Sequence, residues 1–107
     1  MRLYHRTTSL NANNILVGGF SDGEGTYLTK QTWRGVWLSD RILDENEGAG
    51  GDAILEVTSN IDSGTLSFYE WKEEGKSYRE WLVPAELLNK QSKIRLMGWS
   101  DWAGLFG

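Results

Sequence analysis

Leu3-Tyr4-His5-Arg6-Thr7 lies almost at the start of the chain, and its alternation decides the fold. Side chains of a strand point to opposite faces in turn, so Leu3, His5 and Thr7 share one face and Tyr4 and Arg6 the other. We therefore read a β-strand over Arg2 to Thr7 that carries the only histidine of the protein. A lone histidine in a strand is most simply a packed or surface residue, so any role for His5 must come from the company it keeps. Next, Thr8 or Ser9 can cap a short helix whose apolar stripe is Leu10, Ile15 and Leu16, and Gly18-Gly19 stops it.

The same alternation recurs downstream. Gly35 to Ser39 reads as a second strand, with Val36 and Leu38 on one face and Trp37 and Ser39 on the other. Ala53 to Thr58 is a third. Tyr78 to Val83 is a fourth, placing Glu80 and Leu82 opposite Arg79, Trp81 and Val83, and Pro84 ends it or marks an edge position. Lys93 to Met97 is the last strand. Short helical turns fit Asp40 to Asp44 and Ala85 to Leu88, while Thr65 to Trp71 fits a strand or the start of a helix equally well. Phe20 to Thr32 reads as a polar loop leading to an extended piece at Tyr27-Leu28, and Glu45 to Gly51 as a flexible connection. The aromatic tail with Trp99, Trp102, Leu105 and Phe106 is expected to strap onto the body or meet a partner.

At 107 residues the chain is long enough for one core and too short for two, so residues 1–107 form a single domain. A net charge of −4 without any Lys/Arg cluster argues against nucleic acid and favours small-molecule or protein partners. The absence of cysteine excludes disulfides and thiolate sites, and one histidine cannot build an imidazole metal site. No apolar run approaches the roughly 20 residues that span a bilayer, and no secretory leader is visible, so the expectation is a soluble cytoplasmic protein. Six tryptophans either build an aromatic core or line a binding surface.

Few chemistries remain. His5 alone could act as base in a nucleophilic triad, and no serine lies in a G-x-S-x-G elbow. Gly48-Ala49-Gly50-Gly51 precedes a strand instead of a helix, which does not suit phosphate cradling. The adjacent acids Asp44-Glu45 and Glu73-Glu74 are solvated turn charges. Glu80 differs, because it interrupts an apolar strand beside Trp81, where an ionised side chain is costly without a partner or a task. Glu70, in Tyr69-Glu70-Trp71, is its rival.

Taken in order, the three principal stretches resemble the ADP-ribosyltransferase fold in its histidine–tyrosine–glutamate branch, which includes the poly(ADP-ribose) polymerases and diphtheria toxin. The family's aromatic-His-Gly-Ser/Thr strand and its Ile-Leu-x-x-Gly helix end look like Tyr4-His5-Arg6-Thr7 and Ile15-Leu16-Val17-Gly18-Gly19-Phe20. Its Gly-aliphatic-Tyr-hydrophobic-small-Asp phrase looks like Gly35-Val36-Trp37-Leu38-Ser39-Asp40, and its final glutamate phrase like Glu80-Trp81-Leu82-Val83. Two residues depart from the pattern: Arg6 stands where the family has glycine, and Trp37 where it has tyrosine.

The resemblance implies an α+β domain with a small split, bent antiparallel sheet, short helices and a cleft for NAD as substrate. By similarity, His5 would bond a ribose hydroxyl of the adenosine half, the backbone of Arg6 would hold the nicotinamide amide, and Thr7 would support that turn. Trp37 and Ser39 would complete the nicotinamide site, with Trp37 stacking on the ring. Glu80, by the same resemblance the catalytic carboxylate alongside His5, would bind the 2′-hydroxyl of the nicotinamide ribose. The implied activity is ADP-ribosyl transfer or NAD hydrolysis without a metal, in a toxin or protein-modifying enzyme with a protein acceptor or a neutralising partner. The alternative is a non-catalytic module that binds NAD, ADP-ribose, carbohydrate or a protein through exposed tryptophans.

Overall fold

A computed structural model describes residues 1–26, 32–42 and 51–98. Its element order is β1 (Arg2–Thr7), α1 (Ser9–Gly18), β2 (Gly23–Thr26), β3 (Thr32–Ser39), β4 (Ala53–Ser59), α2 (Ser63–Phe68), β5 (Glu70–Trp71), β6 (Glu80–Val83), α3 (Ala85–Lys90) and β7 (Ser92–Leu96). The described pairings are antiparallel, in the order β5-β6-β3-β1-β4-β7 with β2 added to β3. The described residues form an α+β arrangement of one sheet and three short helices. No helix among the described residues is long and apolar enough to cross a membrane.

Register explains which face became the core. His5 stands opposite Leu55 and Leu3 opposite Val57, while Val36 and Leu38 of β3 meet Val83 and Trp81 of β6. Leu3, Leu38, Leu55, Val57, Trp81 and Val83 are essentially inaccessible to water and form one cluster with Ala12, Leu66 and Leu88 of the three helices. Burial of that apolar face is the main stabilising term. Trp37, Ser39, Glu80 and Leu82 occupy the opposite face, where Trp37 pairs with Leu82 and Ser39 with Glu80.

The β1–β3 contact is different in kind from the others. β1 matches β4 at six consecutive positions, Arg2 to Thr7, but meets β3 only at Tyr4 opposite Ser39. β2 pairs with β3 along residues 32–35, and among the described residues β1 has no partner in Val36 to Leu38. The sheet opens there.

Several expectations are corrected. In α1 the inward row is Ala12 and Ile15, whereas Leu10 (71% exposed) and Val17 (91%) point outward and Leu16 lies on the rim. At about 100° per residue Leu10 and Val17 fall on the far side of the helix from Ala12. Thr65 to Trp71 divides between both possibilities, α2 and then β5, and α3 runs on to Lys90. The strand expected from Tyr78 begins only at Glu80. Before it, Asp40 and Arg79 join β3 to β6 through the Arg79 N–H to Oδ1 (3.0 Å) and the Asp40 N–H to the Arg79 carbonyl (3.1 Å). Part of the expected polar loop after Phe20 is strand β2. The extended piece at Tyr27-Leu28, the end of the helical turn expected at 40–44, most of the 45–51 connection and the tail from Trp99 lie outside the described residues.

Candidate functional site

The opening between β1 and β3 holds a cleft of about 500 Å³, lined by His5 and Thr7 of β1, Gly35, Val36 and Trp37 of β3, and Asn11, Asn14 and Ile15 of α1. Gly18 to Ser21 and Gly23 close its end. The volume lies in the range of small-molecule sites. Apart from His5, no titratable side chain lines it among the described residues.

Helix α1 is fastened at both ends, which fixes that wall. The Thr8 hydroxyl accepts the Asn11 N–H (3.2 Å), and the Asp52 carboxylate accepts both the N–H and the hydroxyl of Ser9 (2.8 Å each), tying the helix start to the approach of β4. At its end Gly19 takes φ +86° and donates its N–H to the Ile15 carbonyl at 2.8 Å. Asn89 of α3 then clamps Phe20, accepting its N–H at 2.8 Å and donating to its carbonyl at 3.0 Å. Phe20 in turn sets its ring edge against His5, with centroids 5.3 Å apart.

His5 lies across the opening. Its Nδ1 is 2.8 Å from the Trp37 carbonyl, and because a carbonyl only accepts, Nδ1 carries the proton. Continuing the register from Tyr4–Ser39 would put Arg6 opposite Trp37. The imidazole thus occupies a carbonyl that the next rung of a closed ladder would use. Burial pushes the His5 pKa below the usual 6.5 against the opposing pull of the Trp37 carbonyl, so the ring is neutral at pH 7 and its Nε2 is an acceptor.

Trp37 belongs to both sides of the sheet. Its main chain holds His5, while its ring lies edge-on to Trp71 with centroids 5.4 Å apart, on the face that also carries Glu80. The Glu80 side chain is only 15% exposed, and its Oε2 accepts from Lys76 Nζ at 2.9 Å. Lys76 also lies 3.6 Å from Glu73 and 5.3 Å from the centre of the Tyr78 ring. Partial burial opposes the charge on Lys76, but the Glu80 carboxylate and then Glu73 outweigh it and hold the ammonium above its usual range.

The expected site residues divide accordingly. His5, Thr7 and Trp37 line the cleft. Arg6, Ser39 and Glu80 are not among its lining residues. Arg6 Nε donates to the Gly51 carbonyl at 2.8 Å, and the Ser39 hydroxyl donates to the Arg41 carbonyl at 2.6 Å, so both serve local bracing. The rival Glu70 is gripped by Arg79 through two bonds of 3.0 and 2.7 Å, which hold its carboxyl below the usual range, and it stands opposite Trp81 in the register. Sequence reading missed Asn89, Phe20, Asn14 and Lys76. The partners of Asn89, Phe20 and Lys76 are distant in sequence or lie across an irregular turn, where no periodicity announces them, and Asn14 enters only through its place on the cleft wall.

Comparison of the chain with protein-family models, with curated proteins and with solved structures gives no match in any of the three.

Proposed function

We propose that this protein binds NAD in the opening between β1 and β3 and cleaves its nicotinamide–ribose bond, as a small ADP-ribosyltransferase or NAD glycohydrolase. The observation that carries this reading is the His5–Trp37 hydrogen bond within the opened sheet. It leaves a neutral imidazole with an acceptor nitrogen in a cleft of small-molecule size, suited to the hydroxyl of a ribose. Asn11 and Asn14 add amide donors and acceptors beside it.

The second half of the ligand belongs with the other face. Trp37 is shared between the two, and Glu80 stands across from Ser39, two residues along β3 from Trp37. A dinucleotide is long enough to pass the stretch Val36 to Leu38, with its adenosine ribose at His5 and its nicotinamide against the Trp37 ring. Loss of nicotinamide then leaves positive charge on the ribose. A fixed carboxylate beside it stabilises charge that exists only in the transition state, and the same carboxylate can take the proton of an acceptor hydroxyl or of water. Arg6 bonds a backbone carbonyl of the β4 approach and does not line the cleft, so its side chain is no obstacle to this ligand.

One observation favours a second reading, a non-catalytic binder of NAD or ADP-ribose: Glu80 is already paired with Lys76 and does not line the cleft. The two readings separate in one experiment, titration of the purified protein with NAD followed by tryptophan fluorescence, together with assay of released nicotinamide. Quenching with nicotinamide release that falls at least about 100-fold in Glu80→Ala supports the enzyme. Quenching that persists in Glu80→Ala, without release by the parent, supports the binder. No quenching at millimolar NAD overturns both.

A further inference from the structure

We propose that the turn between β5 and β6 is a strut that sets the Glu80 carboxylate relative to Trp37, with Lys76 as its positioning residue; this rests on the NAD-cleaving reading above. The contacts form a continuous path. The Trp37 ring meets Trp71 at 5.4 Å, Trp71 Nε1 donates to Glu73 Oε1 at 2.8 Å, Glu73 Oε2 lies 3.6 Å from Lys76 Nζ, and Lys76 grips Glu80 Oε2 at 2.9 Å. The register closes the path, because Trp71 pairs with Glu80 across β5–β6 and Glu80 with Ser39 across β6–β3.

The charges suit such a part. Lys76 Nζ takes one carboxylate oxygen of Glu80, Oε2, and leaves Oε1 for a ribose hydroxyl. A lone ammonium beside a developing sugar cation would oppose the reaction, since like charges repel and a partly buried site screens them poorly. Here one cation stands between two carboxylates, Glu73 and Glu80, and the group stays net negative. Lys76 therefore orients Glu80 without reversing its field. Both members of the pair are 15% exposed, so the contact is screened less than a surface ion pair. Gly75, at φ +80°, makes the bend that brings Lys76 back over the strand.

Three variants test the strut: Lys76→Met, Lys76→Arg and Glu73→Gln, each checked for its melting temperature. Steady-state nicotinamide release should show kcat falling roughly 10- to 100-fold in Lys76→Met while KM for NAD changes less than about threefold, because misplacement of a reacting group by about 1 Å costs on that scale. Lys76→Arg should restore most of kcat. Glu73→Gln should lower kcat less than Lys76→Met does, since it removes the offsetting charge but keeps the grip on Glu80. A folded Lys76→Met with parental kcat, or an equal rise of KM alone, overturns the proposal.

The indole N–H resonances give a readout that does not depend on turnover. The Trp71 signal should move in Lys76→Met and return toward its parental position in Lys76→Arg; unchanged signals in both overturn the strut whatever the activity. A parent that moves this signal correctly across the variants but releases no nicotinamide refutes the NAD-cleaving reading and leaves the strut as a structural device.

Discussion

His5 donates through Nδ1 to the carbonyl of Trp37 at 2.8 Å, beyond the Tyr4–Ser39 position where β1 and β3 pair. One consequence is a dependence of stability on pH. Burial holds the folded His5 pKa below its ordinary 6.5, so as pH falls the unfolded chain takes up the proton first. The stability due to the neutral ring is complete above 6.5 and declines as pH falls from there toward the folded value, at a slope of at most about 1.4 kcal/mol per pH unit. Urea unfolding between about pH 7.5 and 5.5 checks this, and His5→Gln, which cannot titrate, should flatten the profile in that window. Asp52 and Asp62, held below the usual carboxylate range by Ser9 and Thr65, lose their contribution only at more acid pH. A parent whose stability is flat down to pH 5.5 contradicts the neutral-ring assignment.

Two glycines with left-handed backbone should respond very differently to alanine. A Cβ on Gly51, at φ +114°, would collide with the Thr7 carbonyl, so the β4 approach and the cleft wall must move apart. Gly75, at φ +80°, has open space around it and incurs only the backbone term. We expect Gly51→Ala to cost more than about 2 kcal/mol and Gly75→Ala about 1 kcal/mol, measured by denaturant unfolding.

Asn89 supports the cleft without lining it. Asn89→Ala removes both bonds to the Phe20 main chain and leaves a half-buried N–H and carbonyl unpaired, a loss of about 2 kcal/mol. The Phe20 ring should lose its fixed edge contact with His5, seen as a change in the His5 ring proton shifts. Asn89→Asp should recover only the acceptor half of the clamp and so give an intermediate value.

Arg6 separates stability from binding. Arg6→Ala forfeits the bond to the Gly51 carbonyl, at a cost of about 1 kcal/mol, but should change NAD affinity by less than about threefold in a fluorescence titration. Larger loss of affinity would place the Arg6 side chain in the ligand site.

Elements that depend on near neighbours are legible in the amino-acid sequence. Strand β1, the Thr8 cap, the Gly19 stop and the alternation of Val36-Trp37-Leu38 are local patterns, and each forms as its spacing implies. The stripe of α1 is not legible in this way, because hydropathy favours Leu10 and Leu16, whereas the close approach of the helix to the sheet favours the smaller Ala12. The face shared by Trp37 and Glu80 needs the β3–β6 register, which strand patterns do not specify across an intervening 40 residues. Lys76 escapes notice for a different reason. It reaches Glu80 over an irregular turn, where four residues of separation carry no geometric meaning. Asn89 and Phe20 lie 69 residues apart, and only the packing of α3 against the end of α1 brings them together.

The interior position of β1 also orders events during synthesis. Its main partner is β4, with Thr7 facing Ala53 and Arg2 facing Thr58, so after β1 is made its partner lies 46 to 56 residues further along the chain. At ribosomal rates of about 5–20 residues per second that interval is roughly 2 to 11 s. Throughout it Leu3, which the folded domain buries completely, and the β1 backbone lack the β4 partner that covers them in the sheet.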